Sequence, residues 1–171
     1  MMTMPRKRTG RAQFRKIKFL LLDVDGVMTD GGVYYTEEGG EMKKFNIQDG
    51  YGIVKAKKLG LEVGIITGRV SKIVERRAAE LGIREVHQNL EDKLGAYTQI
   101  KSKLGLSDGE VAYIGDDEFD LPVLRIVGFS AAPADAVDCV RKEVDYVCRR
   151  EGGRGAVREV IDKILQARVG V

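Results

Sequence analysis

The run Ile17-Lys18-Phe19-Leu20-Leu21-Leu22-Asp23-Val24-Asp25-Gly26 decides the fold. Four apolar residues in a row, closed by two carboxylates and a glycine, suit a short strand buried on both faces. Runs of strand length recur at Val63–Ile66, Glu85–His87, Val111–Ile114, Gly128–Ser130 and Asp145–Val147. Segments with helical spacing lie between them, roughly Ile53–Leu59, Val70–Leu81, Lys93–Leu104, Asp120–Ile126, Ala134–Val140 and Ala156–Ala167. Gly60, Gly82 and Gly105 stand just past three of these as stop signals. The alternation predicts an α/β fold, a Rossmann-like parallel sheet with helices on both faces. One stretch breaks it. Gly32–Thr36 and Glu41–Ile47 flank Glu37-Glu38-Gly39-Gly40 and read as a β-hairpin inserted near 32–47.

A chain of 171 residues with 43% hydrophobic and 32% charged residues fits one globular domain and excludes a disordered or fibrous class. The charge is uneven. Of 29 basic residues seven lie in the first 18 positions, where there is no acid, so the rest carries 22 bases against 26 acids. The overall basic balance therefore reflects a tail over residues 1–16, read as solvated with an RNA-binding or targeting arm as the alternative, followed by a single domain over 17–171, and gives no basic folded face for nucleic acid. Phe19–Leu22 is too short for a signal-peptide core or a membrane span, and the expected location is cytoplasmic. Cys139 and Cys148 lack the spacing of a zinc or redox motif and read as reduced structural residues.

In an open α/β sheet, ligands bind beyond the carboxyl ends of the strands. There the sequence delivers Asp23 and Asp25 after the first strand, Thr67-Gly68-Arg69 after the second and Gly115-Asp116-Asp117 after the fourth, while Lys93 opens the helix after the third. Like carboxylates held together need a cation to stay ionised, and an all-oxygen set suits Mg²⁺. Asp-x-Asp alone is weak, because carboxylates in a surface turn explain it equally well. Four such elements in register have no comparable surface explanation.

In that order and setting, Asp-x-Asp-Gly-Val, Thr-Gly, Lys and Gly-Asp-Asp-x-x-Asp resemble the haloacid-dehalogenase superfamily of phosphohydrolases. The resemblance implies that Asp23 attacks phosphorus to form an aspartyl phosphate, with Asp25 as acid and then base. It further implies Mg²⁺ between the Asp23 carboxylate, the Asp25 carbonyl and the Asp116 carboxylate. Thr67, the Gly68 amide and Lys93 would hold the phosphoryl group, and Asp117 and Asp120 would orient the metal's waters. The gaps of 44 and 26 positions between motifs leave no room for a globular cap, so the hairpin is the candidate cover of the site.

A closer likeness extends from about Ile17 to the C-terminus. Asp23-Val-Asp-Gly-Val-Met-Thr-Asp-Gly, Phe45-Asn46-Ile47-Gln48-Asp49-Gly50-Tyr51-Gly52-Ile53, Ile66-Thr67-Gly68-Arg69 and Gly152-Gly153-Arg154-Gly155 resemble the 3-deoxy-D-manno-octulosonate (KDO) 8-phosphate phosphatase family. Carried over, Asn46, Ile47, Gln48, Asp49, Gly50, Gly68, Arg69, Arg77, Lys93 and Arg154 would contact a phosphorylated sugar acid. The family likeness implies a homotetramer built around the hairpins, with Arg154 reaching a neighbouring site. Where the family commonly has arginine, this chain has Val54 followed by Lys55. The alternatives at this stage are a nine-carbon sugar-acid phosphatase and a non-catalytic assembly module.

Several features also admit plain readings. The hairpin could pack as an edge on its own subunit, and the Gly-rich turn at 152–155 could simply start the last helix. Gly50-x-Gly52 lacks the third glycine of a dinucleotide fingerprint. His87 reads as a strand-end residue, and Arg76 and Arg77 fit a solvated helix face equally well.

Overall fold

The computed structural model describes residues 11–169. In chain order the elements are α1 (Arg11–Lys16), β1 (Phe19–Leu22), β2 (Tyr34–Tyr35), β3 (Glu41–Met42), α2 (Ile47–Lys58), β4 (Glu62–Ile66), α3 (Lys72–Glu80) and β5 (Glu85–His87). They continue with α4 (Lys93–Leu104), β6 (Val111–Ile114), α5 (Leu121–Leu124), β7 (Phe129–Ala132), α6 (Asp138–Glu143), β8 (Tyr146–Val147) and α7 (Ala156–Val169).

Six strands form one sheet in the order β5-β4-β1-β6-β7-β8, and every neighbouring pair is parallel. After β1 the chain builds β4 and β5 on one side, then crosses over to build β6, β7 and β8 on the other. The reversal falls between β1 and β6, the topological position where such sheets open a crevice. Leu20 and Leu22 face one apolar cluster with Ile53, Ile65, Val160 and Ile161, whereas Phe19 and Leu21 face the other with Tyr97, Ile100 and Tyr113. The two-residue period of a strand thus feeds two cores, one on each face of the sheet. Among the described residues no helix is long and apolar enough to cross a membrane.

Three expectations need correction. The basic tail does not extend to residue 16. Arg11–Lys16 is helical, the Phe14 ring packs edge-on against Phe129 with centroids 4.6 Å apart, and Arg15 Nε donates to the Ala167 carbonyl at 3.0 Å. Phe14 and Ile17 alone gave too short an apolar pattern to show this against the run of bases. Residues 1–10, the remainder of that tail, lie outside the described residues.

The hairpin is also shorter than expected, and α2 begins six residues earlier. Only Tyr34 with Met42 and Tyr35 with Glu41 pair, because Asn46 Oδ1 accepts from Gln48 N at 2.7 Å and Asp49 N at 3.2 Å and starts a helix at Ile47. Gly50 and Gly52 lower helix propensity by about 1 kcal/mol each relative to alanine. Both lie under arginines: a Cβ at Gly50 would meet the Arg77 guanidinium, and one at Gly52 the Arg158 side chain, so either arginine would have to shift. Finally, the helix expected over Asp120–Ile126 is a 3₁₀ turn at Glu118–Asp120 followed by α5, and that turn carries site residues.

Candidate active site

The register places the strand ends level. Leu22 pairs with Ile65 on β4 and with Ile114 on β6, so Asp23 leaves the sheet one residue before Thr67 and Asp116 do. Asp23 N donates to the Ile114 carbonyl at 3.0 Å, which ties the β1 loop to the end of β6. The carboxylates of Asp23, Asp116 and Asp120 each offer an oxygen within 4.8 Å of the others. Lys93, buried at the first turn of α4, places its ammonium 2.9 Å from Asp23 Oδ1 and 2.6 Å from Asp120 Oδ1.

Within this cluster the roles differ. Asp120 is fully used: Oδ1 accepts from Lys93 and from the Tyr113 hydroxyl, while Oδ2 accepts from the amides of Asp116 at 2.9 Å and Asp117 at 3.2 Å. It therefore fixes Lys93 and the β6 loop and has no oxygen turned to solvent. Asp117 caps the 3₁₀ turn through Glu118 N at 2.6 Å. The structure thus gives Asp117 and Asp120 positioning contacts within the protein. Asp116 is the opposite case, since its Oδ1 is buried without a hydrogen-bond partner.

Charge crowding shows in the acidities. Burial, then the Asp120 charge, pushes the Asp23 carboxyl up to about 6. Burial, then the Asp23 charge, pushes Asp116 up to about 8. Burial acts to lower Lys93, yet the Asp23 and Asp120 carboxylates outweigh it and hold the ammonium above its ordinary range. One ammonium is insufficient for three carboxylates, and the orphaned Asp116 oxygen marks where a further positive charge fits. Gly26, in the left-handed region at φ +89, keeps that space open, because a Cβ there would strike the Asp116 carboxylate. An oxygen-only donor set of this kind fits a small hard divalent cation, held by Asp23 and Asp116.

Asp25 stands apart from that cluster. Its Oδ1 accepts from Lys43 of the hairpin, and its Oδ2 lies 4.0 Å from Arg69 Nη1. Glu41 completes the group: it pairs with Arg69 at 2.7 Å and Lys43 at 3.6 Å, and accepts from Ser71 Oγ at 3.3 Å. Thr67 is buried at the end of β4, with its N–H on the His87 carbonyl at 3.0 Å. The face of Gly68 looks toward Leu90 O and the Phe119 ring, and that ring also lies 5.2 Å from the Lys93 ammonium.

Of the other expected contacts, Asn46, Asp49, Gly50 and Arg77 share one cleft. Ile47 and Gln48 are exposed on the first turn of α2. Asp49 is buried and accepts from Arg158 N at 2.7 Å, which docks α7 on α2; burial holds its carboxyl above the usual range. Arg77 lies over the Phe45 ring at 5.7 Å, pairs with Glu80 at 3.2 Å and lines a shallow cleft with Met28, Asn46, Asp49 and Gly50. Val54 packs partly buried on the core and Lys55 is 3.8 Å from Asp162. Arg154 pairs with Glu151 at 3.2 Å, while Gly153 N donates to the Val27 carbonyl at 3.0 Å and its own carbonyl accepts from Asn46 Nδ2 at 3.3 Å. The Gly-rich segment thus docks on its own chain's β1 loop.

Sequence reasoning missed Glu41, Lys43, Tyr113 and Phe119. Lys43-Lys44 reads as a solvated pair, Tyr113 as one more core residue of a buried strand, and Phe119 as an apolar residue in an acidic turn. No spacing signal separates them.

Residues 83–161 match the profile of the haloacid dehalogenase-like hydrolases. Over 156 residues, covering 91% of this chain and 83% of the relative, the sequence is 49% identical to the 3-deoxy-D-manno-octulosonate 8-phosphate phosphatase KdsC of Escherichia coli. The fold superposes with TM-score 0.91 on the crystal structure of the phosphatase of that name from Yersinia pestis, at 46% identity over 93% of this chain and 86% of that one. It superposes equally, at 42% identity over 93% and 91%, on the Moraxella catarrhalis phosphatase in complex with magnesium, phosphate and KDO. With this identity along nearly the whole chain and a shared fold, the chain belongs to the 3-deoxy-D-manno-octulosonate 8-phosphate phosphatase family of haloacid dehalogenase-like hydrolases.

Proposed function

We propose that the protein hydrolyses KDO 8-phosphate to KDO and inorganic phosphate with Mg²⁺ as cofactor. One observation carries this reading: a buried carboxylate cluster short of positive charge, in a chain whose structural relative is complexed with magnesium, phosphate and KDO.

In this reading an Asp23 carboxylate oxygen attacks phosphorus, the P–O bond to the sugar breaks, and Asp25 delivers a proton to the departing alkoxide. Asp25, now ionised, takes a proton from the water that hydrolyses the aspartyl phosphate. Lys93, already bound to Asp23, holds the nucleophile and balances charge on the phosphoryl oxygens, and Thr67 and the Gly68 amide hydrogen-bond those oxygens. When bound, Mg²⁺ keeps Asp23 and Asp116 ionised and screens the anionic nucleophile from the anionic phosphate. Asp120 and Tyr113 fix the lysine. Arg69, with its guanidinium half exposed at the rim, is available to the sugar carboxylate, as is Arg154.

The hairpin leaves Val33, Tyr34, Tyr35 and Met42 exposed, and Ile47 and Tyr51 extend the apolar surface along α2. Such a patch supports a homotetramer assembled through the hairpins. A cytoplasmic enzyme releasing KDO would supply the acidic sugar of a lipopolysaccharide envelope. The test is phosphate release from KDO 8-phosphate beside a nine-carbon sugar-acid phosphate. Preference for the eight-carbon ester, lost with EDTA and restored by Mg²⁺, is expected, and preference for the longer ester would overturn the substrate assignment. Light scattering at monomer mass would overturn the tetramer.

A further inference from the structure

Two adjacent lysines leave the hairpin, and they differ sharply. Lys44 is 61% exposed and lies 3.8 Å from Asp30, an ordinary surface pair. The Lys43 side chain is 2% exposed, and its ammonium is hydrogen-bonded to Asp25 Oδ1 with Glu41 as its second carboxylate. A desolvated ammonium is costly to hold unless its partners are fixed. Here they are, because Glu41 is also bound by Arg69 and Ser71, and the chain on either side of Lys43 is pinned by the β3 pairing and by Asn46.

We propose that Lys43 is the positioning residue for the acid–base carboxylate Asp25, so that the inserted hairpin governs protonation of the leaving alcohol. This rests on the phosphatase reading above. Lys43 occupies Oδ1, so Oδ2 is the oxygen left to carry the proton. As the P–O bond breaks, its electron pair stays on the sugar oxygen and takes the proton from Oδ2; the carboxylate that remains is held on Lys43. Without the ammonium the carboxyl is free to rotate toward the rim. Misplacing a catalytic group by about 1 Å costs up to about 10²-fold in rate. The role belongs to a residue that touches Asp25 and not the reacting atoms. It also makes the hairpin part of the chemistry in the absence of a cap.

Leaving-group chemistry separates positioning from plain stability. An alkoxide leaving from KDO 8-phosphate needs the proton, whereas 4-nitrophenolate leaves with little help. kcat/KM reports the steps through alcohol release, and so excludes the common hydrolysis of the aspartyl phosphate. For Lys43→Met we expect kcat/KM to fall about 10–10²-fold on KDO 8-phosphate and less than about 3-fold on 4-nitrophenyl phosphate. Lys43→Arg should recover most of the loss, and Lys44→Met should match wild type on both. In the Asp25→Asn background, adding Lys43→Met should cost nothing more on the sugar ester. Equal losses on the two esters, or an additive double variant, would overturn the proposal. Asp25→Asn losing equally on both would instead overturn the acid role of Asp25, and the positioning role with it. If Lys43→Met melts below assay temperature, Lys43→Gln, which keeps a donor without the charge, is read in the same two assays against the same criteria.

Discussion

Two charge clusters meet at the β1 loop, and they are built on opposite principles. At the β1–β6 crevice, Asp23, Asp116 and Asp120 face one ammonium, three negative groups against one positive. At the hairpin, Asp25 and Glu41 face Lys43 and Arg69, two against two. The first is short by two charges and buried, with an orphaned Asp116 oxygen; the second is balanced and partly open. A carboxylate two residues from another thus works in a different electrostatic setting, one short of positive charge and the other already paired with cations. Val24 between them is fully buried in the core.

The largest effect should come from the charge-deficient side. Asp23→Asn removes the nucleophile and should lower turnover by at least about 10⁴-fold while leaving a folded protein, as circular dichroism and phosphate release would show. Turnover within tenfold of wild type would remove Asp23 from the chemistry. The same deficit predicts a pH-dependent metal effect on stability. The Asp23 and Asp116 carboxyls sit at about 6 and about 8 when folded, above the 3.8 of a free aspartate. Between about pH 4 and 8 the folded, metal-free protein therefore binds more protons than the unfolded chain, and its stability falls as pH rises. Mg²⁺ offsets this by favouring the ionised forms. The gap in Tm between Mg²⁺-loaded and metal-free protein should widen by on the order of 10 °C from pH 5 to pH 8. A gap that is constant with pH would mean that these carboxyls are ionised without the metal.

The balanced cluster should fail more selectively. Arg69→Ala removes a guanidinium half exposed beside Asp25 and bound to Glu41. Loss of a charge-assisted contact to the sugar carboxylate should lower kcat/KM for KDO 8-phosphate by about 10–10³-fold. An aryl phosphate has no such carboxylate and should be turned over nearly as before. Equal losses would assign Arg69 to the hairpin ion pairs alone.

This contrast also marks what was legible in the sequence. The strand ends, with Asp23, Thr67, Lys93 and Asp116, were readable because apolar runs closed by polar residues fix both the sheet and its rim. The sheet's parallel order followed from the same alternation. Lys43 and Glu41 were not readable, since their meaning depends on how a hairpin folds back over another loop, and neither periodicity nor spacing encodes that approach. The start of α2 was obscured by Gly50 and Gly52, whose local propensity disagrees with a helix, while the Asn46 cap and burial of both glycines favour one. The contacts of Asp120 with Lys93 and Tyr113 were not readable either, because burial of its side chain beneath them is a packing result.

The smallest effect concerns the segment that supports both clusters. Gly152 and Gly153 lie against the loop carrying Asp23 and Asp25: a Cβ at Gly152 would overlap the Gly26 carbonyl and come 2.9 Å from Thr29 O, and Gly153 N bonds Val27 O at 3.0 Å. Both obstacles are backbone, so no flexible side chain can give way, and the loop or the segment must move. Asp135 Oδ1 holds the Gly152 amide at 2.9 Å and resists movement of the segment. Gly152→Ala should therefore cost about 1–3 kcal/mol, the usual range for overpacking, and lower Tm by roughly 3–10 °C. Because the displaced loop carries the residues of both clusters, kcat/KM should fall by similar factors on the sugar ester and the aryl ester, unlike the selective loss at Arg69. Gly109→Ala is the control, since its Cβ would meet nothing closer than Ser107 Oγ at 4.0 Å. A Gly152→Ala protein with the melting temperature of the control would show that the loop is set by its own hydrogen bonds, in which Thr29 N at 3.1 Å and Thr29 Oγ1 at 3.4 Å donate to the Val24 carbonyl, and that the Gly-rich segment merely rests on it.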